Sequence, residues 1–226
     1  VKRFWREVAI DGDGVIRLDD RPVRTPGRAA LALPSVELAD AVAGEWRSVG
    51  EMVDPRAMPL TGLANAAIDR VAPDIEAFAQ GLAAYADSDL LYYRADQPPE
   101  LVARQSAKWD PLLEWARDRY DVHFEPVAGI VHHAQPAATV QRLSDAVKAR
   151  DAFALVPLSP MVTITGTLVG TLALAEGAID ADTLWNAAHV DEDWQAELWG
   201  EDSLATQARA HKRREFDAAV CFLSLL

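Results

Sequence analysis

Cysteine is nearly missing from the 226 residues, with Cys221 standing alone. One thiol closes no intrachain disulfide and builds no cysteine-based zinc site, and its apolar setting beside Phe222 reads as helix packing in a reducing compartment. Basic residues are scarce as well, 22 against 35 acidic, for a formal net charge of −13 and an isoelectric point near 4.7. That balance repels a phosphate backbone and an anionic membrane surface, so nucleic acid is not an expected partner. There is no P-loop, no dinucleotide fingerprint and no G-x-S-x-G elbow, and no cofactor is expected. The opening VKRFWREV turns amphipathic at once, without the apolar run and small-residue cleavage site of a signal peptide. One stretch, 152–175, lacks charge over membrane length and holds Gly166 and Gly170 in G-x-x-x-G spacing. Pro157 and Pro160 should break it early, leaving about 15 apolar residues against the roughly 20 that a span needs. It is read as a central buried helix, and no stable membrane insertion is expected.

Half of the residues are hydrophobic, enough for a substantial core. Residues 4–33 alternate like strands and are punctuated by Asp11-Gly12-Asp13-Gly14, Asp19-Asp20-Arg21-Pro22 and Pro26-Gly27, which predicts a β-meander. The DGDG run is a hairpin turn and no calcium loop, since Pro22 stands where an EF-hand needs glutamate. Ser35 caps an amphipathic helix whose face is Val36, Leu38, Ala39, Val42, Ala43 and Trp46. A proline-bearing segment, 50–59, marks the boundary, and nearly everything after it reads as helix. The fold class is therefore α+β: a small antiparallel β-rich N-terminal domain with one helix (1–58), then a mainly α-helical C-terminal bundle (59–226). In that bundle Pro111 should divide or kink a helix carrying Trp109, Leu112, Trp115 and Tyr120, and Ser203 should cap a last helix. The basic residues of that last helix, Arg209, Lys212, Arg213 and Arg214, should face out or pair with the acidic run before it.

That run, 180–202, is the best candidate for a working surface. As one helix at about 100° per residue, it places Leu184, Ala187, Ala188, Trp194 and Leu198 on an apolar face, with Asp191 and Gln195 inside the stripe. Trp185, Glu192 and Trp199, spaced by seven, form a second line that puts a carboxylate between two indoles. A desolvated charge needs a counter-ion, so Glu192 is solvated, paired in the chain, or matched by a partner's cation. Metal binding is not expected, because His132 and His133 point apart and His189 has only Glu192 roughly on its side. A carboxylate- or metal-dependent hydrolase with its site at Asp191 and Glu192 is the alternative. An acidic, indole-lined surface prefers a protein displaying Arg or Lys around an apolar patch.

Seven segments in order resemble one family, the assembly chaperone that holds the α subunit of the F1 part of ATP synthase: KRFWREV, LDDRPVRTP, LPSVELADAVAGEW, MPLTGLANAAID, DSDLLYYRA, KWDPLLEWARDRYDV and VDEDWQAELWGED. The resemblance implies a two-domain protein without enzyme activity that covers, on unassembled α, the surface later buried against β. It places the sensitive motif at Asp191-Glu192-Asp193, Trp194, Gln195 and Trp199-Gly200, with Trp194 where Tyr or Phe is the family's pattern, and it does not single out one acid. The partner-binding residues expected are Glu192, Asp191, Asp193, Trp185, Gln195 and Trp199. A monomer in the bacterial cytoplasm is expected, since the chain shows no transit peptide.

Overall fold

The computed structural model describes residues 1–200 and 202–226. Contacts divide the chain into two compact units, one of Val1–Ile75, Arg150–Pro157 and Asp217–Leu226, the other of Glu76–Ala149 and Leu158–Phe216. This is a division by packing. The boundary at 58/59 is a division by type of element, and the first helices beyond it pack within the first unit.

In the first unit, strands β1 (Val8–Ile10), β2 (Ile16–Leu18) and β3 (Arg21–Pro22) form an antiparallel sheet in the order β1-β2-β3. Ile16 and Leu18 point into the core and Arg17 between them does not, as the two-residue period requires. The first turn is held by Asp11, whose Oδ1 accepts the amides of Asp13 and Val15, each at 3.1 Å. Gly14 follows at φ +74, where a Cβ would lie 2.5 Å from the Leu33 carbonyl oxygen, so only glycine fits. The meander is shorter than its sequence pattern, since 24–32 contribute only the isolated bridges Val15↔Ala32 and Arg24↔Ala30.

Helix α1 (Val36–Arg47) starts as predicted, with Ser35 Oγ accepting the Leu38 amide at 3.1 Å. Leu38, Ala39, Val42 and Ala43 are buried, but Val36 is 72 % exposed because it sits about 90° from the centre of that stripe. Glu45 of α1 then caps α2 (Pro59–Ala66), accepting from the amides of Leu60 and Thr61, both at 2.8 Å, and from the Thr61 hydroxyl at 2.7 Å. A π-helical turn, Ala67–Val71, carries Asp69 to the hairpin, where it accepts from Thr25 Oγ1 and the Gly27 amide at 2.7 Å each.

The second unit is helical. After α3 (Ile75–Ala83) comes β4 (Tyr93–Arg94), then α4 (Pro99–Tyr120), β5 (Val127–Ala128) and α5 (Ala137–Lys148). β4 and β5 pair in parallel, which no residue pattern announced. Pro111 does not divide α4: it and Ala107, whose carbonyl loses its donor, lie on the exposed side, where water serves. Trp109 and Leu112 are buried, whereas Trp115 and Tyr120 are half-buried and pack edge-to-face at 5.5 Å.

The uncharged stretch is two helices, α6 (Ala152–Thr165) and α7 (Leu168–Ala175). The expected break at Pro157 and Pro160 does not occur, as both lie inside α6. It falls instead at Gly166, whose φ of +71 suits glycine, and at Thr167, whose hydroxyl caps α7 by accepting the Gly170 amide at 2.9 Å. The donors freed there are met by fully buried Asp89: Oδ2 accepts from Val169 N at 2.9 Å and Thr167 Oγ1 at 3.1 Å, and Oδ1 accepts from Leu91 N at 3.0 Å. Burial pushes this carboxyl up to about 6 in spite of the donors. The G-x-x-x-G spacing is thus structural, since a Cβ on Gly170 would meet Leu184 Cδ1 at 2.6 Å. Among the described residues no helix is long and apolar enough to cross a membrane.

Candidate partner-binding site

The stretch read as one helix is two, α8 (Ala181–Ala188) and α9 (Val190–Trp199), joined at His189. His189 leaves helical geometry (φ −110, ψ 18). Its Nδ1 donates to the Trp185 carbonyl at 2.8 Å, and its ring stacks on the Trp185 indole at 4.0 Å. The backbone amide of His189 reaches the same carbonyl at 3.2 Å, so the ring adds a second donor to it, and the phase of the helix resets at the non-helical φ and ψ of this residue. Trp185, Glu192 and Trp199 consequently do not form one line. Trp185 is buried against Phe216, ring centroids 5.5 Å apart, with Arg213 over its face, while Trp199 is 83 % exposed. Trp194 and Leu198 leave the predicted core face too: Trp194 is half-buried and Leu198 is 57 % exposed.

What orients α9 is α4. Gln105 Nε2 donates to Asp191 Oδ1 at 2.8 Å, so Asp191 hydrogen-bonds within the bundle. Arg104 lies 4.8 Å over the Trp194 ring and donates to both oxygens of Glu197, at 2.8 and 2.7 Å. Trp109 Nε1 fixes the end of α8 by donating to the Ala187 carbonyl at 2.7 Å. With Asp191, Trp194 and Glu197 turned to α4, the helical period sends Glu192, Gln195 and Trp199 to the other side. Asp193 is taken by Arg209 at 2.5 Å, and Asp182 by Arg213 at 2.6 Å, so two of the four basic residues in helix α10 (Ser203–Ser224) pair with acids. The cap of α10 is Asp202 rather than Ser203, with Oδ2 accepting the Ala205 amide at 3.0 Å.

Between α9 and α10 lies an open groove of about 820 Å³, lined by Glu192, Gln195 and Trp199 on one side and Ala205, Ala208 and Lys212 on the other. Exposed Leu198, Trp199 and Leu204 make its neighbourhood apolar. Glu192 is 56 % exposed, and its one ion-pair neighbour among the described residues is His189 Nε2 at 3.9 Å. Burial holds the His189 imidazole below its ordinary value, so it is neutral at pH 7 and gives Glu192 no ion pair; the cations on the groove, Arg209 and Lys212, are not within contact distance of it. Of the six residues singled out, the structure therefore gathers Glu192, Gln195 and Trp199 on the groove together with Asp193, which is paired there with Arg209, gives Asp191 a partner inside the chain, and buries Trp185. Arg104 and Gln105, which set this arrangement, were not foreseen, and nothing local marks them. No group of three His, Cys, Asp or Glu among the described residues could hold a metal ion.

A family model described as ATP12 chaperone protein matches residues 2–117. A solved aspartate-to-lysine mutant of Atp12p from Paracoccus denitrificans is 40% identical over 99% of this chain and 97% of that one, with a TM-score of 0.95. The chain belongs to the ATP12 chaperone family. The crystal structure of Atp12 from Paracoccus denitrificans agrees, at 39% identity, the same coverage and a TM-score of 0.94. A protein of Agrobacterium tumefaciens matches at 39% identity over 99% of this chain and 85% of that one, with a TM-score of 0.92. The ATP12 family is one of chaperones and not of enzymes, which removes the hydrolase reading of Asp191 and Glu192.

Proposed function

We propose that this chain is an assembly chaperone of the F1 sector of ATP synthase that binds the unassembled α subunit and shields its subunit interface until the hexamer forms. Family membership supports the chaperone part, and the resemblance of seven ordered segments supports the F1 and α assignments. The observation that carries the binding site is the exposed Glu192, in contact with no Arg or Lys among the described residues, beside exposed Trp199 on the α9–α10 groove. An indole next to such a carboxylate fits an apolar patch of α flanked by Arg or Lys, the indole giving contact area and the carboxylate orientation. Gln195 adds an amide to the same face, while Asp191, Asp193 and Trp185 act at one remove, by holding α8 and α9 in place. The protein works as a monomer in the bacterial cytoplasm, without nucleotide or metal.

Purified chain mixed with α alone and with intact F1 tests this reading. It should form a stoichiometric complex with α and none with F1; equal binding to both, or to neither, contradicts it.

A further inference from the structure

We propose that the first unit carries a second docking site, a pocket built around Trp5 and Trp46, and that its occupant is an acidic, apolar segment of a partner protein. Nothing in the chaperone reading above uses this unit's surface. The pocket has a volume of about 260 Å³, room for one large side chain. Leu18 and Val23 line it from the sheet region, Trp46 from the last turn of α1, and Phe4, Trp5 and Val53 complete the apolar wall. The aromatic side is preorganised: Trp5 packs edge-to-face on Trp46 at 5.4 Å and on Phe4 at 5.3 Å. Phe4 is nevertheless 60 % exposed, a large ring left in water beside an apolar cavity.

The charge of the pocket decides what it takes. Its charged side chains are two exposed arginines, Arg21 and Arg24, and no acidic side chain lines it. Two carboxylates lie nearby in the loop without lining the pocket: Asp20, next to Arg21, and Asp19, which interacts with the Arg21 charge while its Oδ1 accepts the amides of Arg6 at 3.0 Å and Glu7 at 2.9 Å. The remaining polar side-chain groups of the wall, the indole N–H groups of Trp5 and Trp46, are buried and have no acceptor. Every polar side-chain group lining the pocket is thus a donor, in a chain whose net charge is −13. A basic segment meets like charge here and a neutral one offers the arginines no carboxylate, whereas an apolar side chain flanked by carboxylates fills the cavity and brings charged acceptors to Arg21 and to Arg24, whose Nη1 otherwise donates only to the Arg28 carbonyl at 2.9 Å among the described residues.

The test uses the full chain and three probe peptides, acetyl-Asp-Phe-Asp-amide and its twins with Gln or Lys in place of Asp, titrated while the assigned indole N–H resonances are followed by NMR. The acidic peptide should shift the Trp5 and Trp46 resonances saturably and leave the other indoles unmoved. The neutral twin should bind about tenfold more weakly or worse. Reversing the exposed charges with Arg21→Glu and Arg24→Glu should remove the response, and unchanged indole positions in the free variant will show that its fold is kept. No saturable shift, equal response to all three peptides, or a response that survives both reversals overturns the proposal. So does a shift of Trp5 and Trp46 on raising the concentration of the chain alone, which would give the pocket to a second copy. Binding of α through Glu192 stands or falls separately, since Glu192→Lys should leave these peptide responses unchanged.

Discussion

Asp89 and Glu192 are both carboxylates beside a helix break, and the protein uses them in opposite ways. At the α6–α7 break the freed donors, Val169 N–H and the Thr167 hydroxyl, are internal, and no water reaches them. Asp89 is turned inward to accept both, and burying a charge is tolerated because three donors surround it. At the α8–α9 break the Trp185 carbonyl accepts from both the amide and the ring of His189, and the Ala187 carbonyl is taken by the Trp109 indole. Glu192 is then not needed by the fold and stands exposed without an Arg or Lys among the described residues. A carboxylate at a break is structural when the freed groups need it and available to a partner when something else has satisfied them.

The comparison breaks most visibly at Asp89. Asp89→Ala strands three buried donors, and at about 1–3 kcal/mol for each unmet group, less the relief of an uncharged site, urea unfolding should show a loss of roughly 3–5 kcal/mol. A loss under about 1 kcal/mol would mean that Asp89 is not the seal described.

The pH dependence at the same residue sharpens the point. Burial raises the Asp89 carboxyl from 3.8 to about 6, so between these values the native state holds a proton that the unfolded chain has released. The group's contribution is complete below about pH 4 and is lost as pH rises through about 6, roughly 3 kcal/mol in all and about 1 between pH 5 and 7. His189 acts with the opposite sign. Its lowered value makes stability fall as pH drops below the ordinary 6.5. Unfolding of wild type and Asp89→Asn at the two pH values separates them: the stability difference between the proteins should change by about 1 kcal/mol in the direction given for Asp89.

Asp191 lies between the two extremes. Asp191→Ala removes the acceptor of Gln105, buried at 2 % exposure, and should lower stability by about 1 kcal/mol while α binding weakens only slightly, through a less firmly held α9. Thermal unfolding and a binding titration on the same sample check both halves.

Features encoded by neighbours in the chain were legible. Ser35 lies three residues before the amide it caps, and the Asp11 turn is written into four consecutive residues. The burial of α1 followed its period apart from Val36, at the edge of the stripe. Features decided over long separations were not legible. Asp89 meets its donors 78 and 80 residues on, Arg104 clamps Glu197 at a separation of 93, and β4 finds β5 with only two residues each. The break at His189 was invisible because neither glycine nor proline marks it, and the break expected at Pro157 and Pro160 moved to the one residue with a cheap left-handed φ. Trp185 and Trp199 share one heptad phase and one chemistry, yet Phe216 and Arg213 cover the first and nothing comparable covers the second. The charge of Glu192 left open whether it would be solvated, paired in the chain or matched by a partner; its exposure, and the choice of neighbours that share its face, needed the tertiary structure.

The measurement that bears most directly on the account is the affinity of Glu192→Lys for isolated α, taken with its melting curve. The fold should be unchanged, within about 0.5 kcal/mol of wild type, because Glu192 is exposed and no donor depends on it. Binding should be lost, since removing a partly buried charge pair costs about 2–5 kcal/mol and the lysine adds repulsion. A variant that still binds α with wild-type affinity, or one that melts early while Asp191→Ala keeps its fold and loses α, would contradict the assignment of Glu192 to the partner and Asp191 to the fold.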